Sequence, residues 1–234
     1  MRLTSRKAAE QFIDVRFPCC NAAILAGSVV TGHETSSSDL DLVIIDDSQS
    51  GPFRAAYFEF GWPIEVFVLT KDSYRYFFEV SQDEGIPSLQ RMCVNGVVLK
   101  DDGTLEAIIE EAKEILEMGP TPWSPEEMNL ARYHITECLD DLTGVTARDE
   151  ALYIVNRLAH LVPQFILRSC GEWTGEGKWA IRSLRMFNET ACLEFVALLE
   201  LFYKQESREP LIRFVDEVIS PFGGRLMNGF FQGG

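Results

Sequence analysis

Apolar residues recur at helical spacing from Ser5 to Phe17, where Ala8, Ala9, Phe12, Ile13 and Phe17 share one face, and Pro18 stops the segment. The period then changes. Ala22 to Ala26 (AAILA) is a continuous apolar run closed by Gly27, as in a strand covered on both faces. Leu40 to Ile45 (LDLVII) starts as an alternating strand and ends fully apolar. Two further strands are predicted at Ala55 to Phe60 and Ile64 to Leu69, joined by the turn Gly61-Trp62-Pro63. Helical stretches near Asp72 to Val80 and Pro87 to Val94 lead to a short edge strand at Val97 to Leu99. Thr104 then caps an amphipathic helix carrying Leu105, Ile108, Ile109, Ala112, Ile115 and Leu116 on its apolar face.

Gly119-Pro120-Thr121-Pro122-Trp123 cannot continue a helix, and the pattern changes beyond it, so the domain boundary is placed there: 1–120 and 121–234. Ser124-Pro125-Glu126-Glu127 has the form of a capping box with proline at the first helical position. Helical periodicity follows at about Glu126 to Thr143, Asp149 to Ser169, Lys178 to Phe187, Glu189 to Lys204 and Glu209 to Ile219. No internal repeat or low-complexity tract interrupts it. The pattern predicts an α+β chain: a mixed sheet with flanking helices, followed by an all-helical bundle.

Composition narrows the function. With 234 residues the chain buries a sizeable core without disulfides. Its six cysteines, Cys19, Cys20, Cys93, Cys138, Cys170 and Cys192, form no CxxC pair and read as buried thiols in a reducing compartment. The start MRLTSRKAAEQF has no apolar core of a secretory signal, and no later run is long enough to span a bilayer. A soluble, cytoplasmic protein without a membrane partner is expected. A formal net charge of -15 repels a long polyanion from most of the surface, which argues against nucleic acid as a partner. The same charge suits solubility alone or a cationic substrate.

The chemistry concentrates in Leu25 to Ile45, LAGSVVTGHETSSSDLDLVII. Gly27-Ser28 closes the first strand at a turn, where a missing side chain lets backbone amides approach a phosphate and a hydroxyl can donate to it. Gly32 keeps the next segment open. Asp39 and Asp41 flank Leu40 in a strand, and side chains two apart on a strand project from one face. Two carboxylates so close repel unless a cation lies between them or one is protonated. Magnesium, or manganese, is the natural cation, since it takes carboxylate and phosphate oxygens together. Glu65, in the alternating run Pro63-Ile64-Glu65-Val66-Phe67-Val68, is a third acid whose strand could pair beside the other two.

A glycine-serine turn after a strand, a spacer, Ser38-Asp39-Leu40-Asp41-Leu42 entering a strand, and a lone acid on a later strand resemble the nucleotidyltransferase fold shared by polymerase beta and the aminoglycoside nucleotidyltransferases. The resemblance covers about the first half of the chain. It implies that Asp39 and Asp41 hold the catalytic metals, Mg2+ or Mn2+, with Glu65 as third ligand or base. It also implies that Gly27, Ser28 and Ser38 grip the triphosphate. The implied reaction transfers AMP from ATP, by a two-metal mechanism, to a hydroxyl of a small and cationic acceptor such as an aminoglycoside. The competing reading is a nucleotidyltransferase-like antitoxin, or a protein-modifying partner of a toxin.

The second half adds weaker candidates. Gly171 to Trp179 (GEWTGEGKW) is a glycine-rich turn leading into a helix with Arg182 and Arg185, and Lys178 in it resembles a triphosphate-binding element of related small-molecule nucleotidyltransferases. The alternative is an exposed helix start with tryptophans packed in the core. Glu137, Asp140 and Asp141 are candidates for a general base or for a charged solvent face. His134 and His160 read as structural, and His33 in the spacer has no assigned role.

Overall fold

The computed structural model describes residues 2–32 and 34–231. The chain divides into two compact units, Met1–Gly119 and Pro120–Gly234. The sequence places the division one residue later, within the same Gly-Pro stretch.

In the first unit, α1 (Ser5–Arg16) precedes β1 (Ala22–Ala26), β2 (Leu40–Ile45), β3 (Phe53–Glu59) and β4 (Trp62–Leu69). Then come α2 (Tyr74–Glu84), α3 (Ser88–Asn95), β5 (Val97–Asp101) and α4 (Leu105–Met118). The strands form one mixed sheet in the order β3-β4-β2-β1-β5. β2 and β4 run parallel, and the other neighbours are antiparallel.

Alternation sorts the side chains. Leu40, Leu42 and Ile44 of β2, with Ile64, Val66 and Val68 of β4 and Ala23 and Leu25 of β1, share a buried cluster with Ala8, Ala9, Phe12 and Ile13 of α1. The intervening residues Asp41, Val43 and Ile45 therefore face the opposite side, where α3 packs against β1 and β2. The three central strands are almost wholly apolar because helices cover both faces.

The β3–β4 turn is tighter than the sequence predicts. Glu59 pairs with Trp62, so Phe60 and Gly61 alone make the turn, both at positive φ (55° and 81°). Trp62 belongs to the strand rather than to the turn. It is 2% exposed, its indole N–H donates to the Leu3 carbonyl at 2.8 Å, and the Arg2 guanidinium lies 3.5 Å over its ring. Burial of so large a side chain outweighs local turn preference. Pro63 stands one residue before β4 begins to pair with β2, at the strand start where proline is tolerated.

Two other expectations are corrected. Thr104 precedes α4 but its side chain does not cap it. The Asp101 carboxylate accepts from the Leu105 N–H at 3.1 Å instead, while the Thr104 hydroxyl is taken up by Asp102. An ionised acceptor makes the stronger bond at a helix start. Among the cysteines, Cys20, Cys93, Cys138 and Cys192 are buried but Cys19 and Cys170 are exposed, each lying just beyond the end of a helix.

The second unit is helical: α5 (Pro125–Gly144), α6 (Arg148–Ser169), α7 (Lys178–Phe187), α8 (Glu189–Gln205) and α9 (Glu209–Ile219), then a 3-10 turn at Ser220–Phe222. Its core gathers Leu139 and Leu142 of α5, Leu158 and Phe165 of α6, Phe195 and Phe202 of α8, and Phe214 of α9. Buried Arg132 on α5 fixes the chain beyond α9 by donating to the carbonyls of Gly223 (2.8 Å) and Gly224 (2.9 Å). The capping box is formed: Ser124 Oγ accepts from the Glu127 N–H at 3.2 Å, and the Glu127 carboxylate accepts from the Ser124 N–H at 2.7 Å. Ser124→Ala should therefore lower stability by about 1 kcal/mol, read as a reduced denaturation midpoint of the helical unit. An unchanged midpoint would show that water replaces the cap at no cost.

Among the described residues, no helix is long and apolar enough to cross a membrane.

Candidate functional site

The end of β1, the start of β2 and the first half of β4 lie at one end of the sheet. Parallel pairing sets Asp41 directly beside Glu65, and antiparallel pairing sets it beside Ala26. Asp39, two residues before Asp41, lies just ahead of the strand and is exposed. Asp41 is half-buried, and so is Glu65, whose side chain is 26% exposed. The sheet register thus brings two of the predicted acids, Asp41 and Glu65, side by side on one face, with Asp39 just before the strand.

Gly27 is required here for two reasons. Its φ of +81° lies in the left-handed region, and a Cβ built on it would stand 2.2 Å from Asp41 Oδ2. The Asp41 carboxylate therefore packs directly over the bare backbone that closes β1. Ser28 follows, and its hydroxyl donates to Ser38 Oγ at 2.9 Å. Ser38 Oγ also accepts from the Thr35 N–H at 2.8 Å, and Ser38 is buried. These bonds tie the Gly27-Ser28 turn to the residue just before Asp39. From further away, Arg2 donates to the carbonyls of Ser36 (3.2 Å) and Ser38 (3.3 Å), fixing the approach to β2. Sequence reading gives no hint of Arg2, because the contact spans more than thirty residues of chain. His33 lies outside the described residues.

Glu65 has a partner that the sequence does not announce. Arg54 of β3 donates from Nε to Glu65 Oε1 at 2.7 Å, with its guanidinium 4.9 Å from the centre of the Phe67 ring. Among the described residues, no group of three or more His, Cys, Asp or Glu side chains forms a ready-made metal cage. Of the three expected ligands, Glu65 is engaged by Arg54 in this structure. Two carboxylates remain a chemically suitable donor set for magnesium, which is commonly held by one or two carboxylates together with substrate phosphates.

The second-unit candidates are described by themselves. Lys178 opens α7 and is exposed, directly after Gly177 at φ +53°. The tryptophans are not core residues: Trp179 is 47% exposed with Arg182 stacked 4.8 Å over its ring, and Trp173 is half-buried. Glu137 interacts with His134 at 3.2 Å, and with this partner, helped by Tyr133, its carboxyl sits below the usual range. Asp140 is paired to Arg225 at 2.7 Å. Asp140 and Asp141, with Asp149, Glu150 and Tyr153, line an open cavity of about 660 Å³ at the α5–α6 turn. His160 is exposed on α6.

No protein-family model matches the sequence, and a search of curated proteins finds no match. Among solved structures, a nucleotidyltransferase-like protein from Exiguobacterium sibiricum 255-15 is similar with a TM-score of 0.47 and 10% sequence identity, over 92% of this chain and 74% of that one.

Proposed function

We propose that the chain is a nucleotidyltransferase that moves AMP from ATP to a hydroxyl group of a small acceptor. The observation that carries this reading is the seating of Asp41 over Gly27 and beside Glu65, with Asp39 two residues away in the chain. A strand face with two adjacent acids beside a glycine-serine turn has a use in phosphoryl chemistry that plain stability does not supply, because like charges at close range oppose folding.

Each residue has a proposed task. The Gly27-Ser28 turn offers backbone amides and a hydroxyl to the phosphates, and Ser38 holds the Ser28 hydroxyl in place. Asp39 and Asp41 would hold magnesium or manganese, which supplies charge neutralisation at the transferring phosphorus. Glu65 is the third acid, placed to complete the ligand set or to accept the proton of the attacking hydroxyl. The acceptor is proposed to be cationic and not a nucleic acid, supported by the net charge of -15.

Incubation with labelled ATP, magnesium and a panel of aminoglycosides, polyamines and co-purified proteins tests this. Label should pass to a small hydroxyl-bearing cation, and its transfer should weaken as salt is added. Label recovered on a protein would favour the protein-modifying reading. Failure to bind ATP with magnesium at all would remove the transferase reading.

A further inference from the structure

We propose that Arg54 is a built-in counter-cation of the acidic face, a positioning residue that holds Glu65 away from free metal so that metal enters only together with nucleotide. The inference rests on the transferase reading of the site and concerns how that site is kept before substrate arrives.

The register explains why Arg54 reaches Glu65. On β4, Glu65 and Phe67 share a face; on β3, Ala56 stands opposite Glu65 and Arg54 opposite Phe67. Ala56 is too small to cover its cross-strand neighbour. The diagonal residue Arg54 can therefore lay its guanidinium across Phe67 and meet Glu65 Oε1 at 2.7 Å. Asp41 stands on the other side of Glu65 in register. Among the described residues, Arg54 is thus a cation set against Glu65 on the face that also carries Asp41.

An ion pair whose arginine side chain is 65% exposed contributes little to stability. Its effect on a divalent cation is larger. A fixed positive charge beside the ligand set repels the ion, and Glu65 must exchange one cation for the other before it can serve as ligand or base. A triphosphate brings negative charge of its own, which offsets that repulsion. The arrangement makes the site selective for the metal-nucleotide complex over the free metal. Arg54→Lys keeps the charge but loses the guanidinium that lies over Phe67.

The test is Mn2+ binding to the full chain, followed by the electron-spin-resonance signal of free Mn2+ and by calorimetry, with and without a non-hydrolysable ATP analogue. Arg54→Ala should tighten nucleotide-free Mn2+ binding by about tenfold, and this gain should shrink as salt is raised. Arg54→Gln should behave alike, Arg54→Lys should stay near the wild type, and Glu65→Gln combined with Arg54→Ala should lose most of the gain. Affinity for Mn2+ with the analogue should change by less than about threefold in Arg54→Ala, since the triphosphate already screens the charge. Unchanged nucleotide-free affinity in both Arg54→Ala and Arg54→Gln, with Mn2+ still binding alongside the analogue, overturns the role of Arg54 and leaves the two-aspartate site standing. No Mn2+ binding in any variant, with or without the analogue, overturns the transferase reading and this inference with it.

Discussion

Asp41→Asn should lower the initial rate of AMP transfer by on the order of 10³-fold, while the melting temperature of the metal-free protein stays the same or rises. The substitution keeps shape and removes charge. Asp41 is half-buried, packed over Gly27 and set beside Glu65, whose charge Arg54 offsets only in part because the arginine is largely exposed. Without metal the neutral amide relieves repulsion; with metal it removes a ligand. Asp39→Asn should act in the same direction with a smaller stability change, because Asp39 is exposed. Rates of labelled-AMP transfer and thermal melts with and without magnesium read out both effects. A steep loss of stability in metal-free buffer would show that Asp41 is a structural acid, and the transferase site would then have lost its central residue.

The second large effect is expected at Gly27, with Gly32 as its internal control. Both glycines have positive φ, +81° and +74°, so alanine at either should cost about 1–2 kcal/mol of backbone strain. They differ in what a new methyl group meets. At Gly32 nothing lies within 4 Å, whereas at Gly27 the Cβ would stand 2.2 Å from Asp41 Oδ2 and 3.2 Å from its Cγ. Gly27→Ala must therefore turn the Asp41 carboxylate out of its seat. Transfer should fall by about 10²-fold or more in Gly27→Ala, since a displacement near 1 Å at a reacting centre has that effect, and far less in Gly32→Ala. A modest extra stability loss in Gly27→Ala with a far larger difference in activity is the expected pattern. Parallel activity losses in the two variants would mean that backbone strain, and not displacement of Asp41, is responsible.

The sequence by itself determined much of this protein, because hydrophobic period reports directly on which faces are buried. The alternation of Leu40, Asp41, Leu42 placed one aspartate on the face opposite the α1 core, and the AAILA run marked a strand covered on both sides. The Ser124-Pro125-Glu126-Glu127 cap and the apolar spacing after it specified where the helical unit begins, since capping is chemistry among residues three apart. What only the tertiary structure decided are the pairings between distant positions. Arg54 meets Glu65 because β3 and β4 join through a two-residue turn containing a non-glycine residue at positive φ, which sets a register that local preference does not specify. Arg2 reaches the carbonyls of Ser36 and Ser38 because buried Trp62 holds the N-terminal segment against the hairpin. Asp140 is bound by Arg225 rather than left as an open base, across 85 residues of chain. A charged side chain shows its type in the sequence, but its partner follows from strand register and helix packing, which are set by the burial of apolar residues elsewhere.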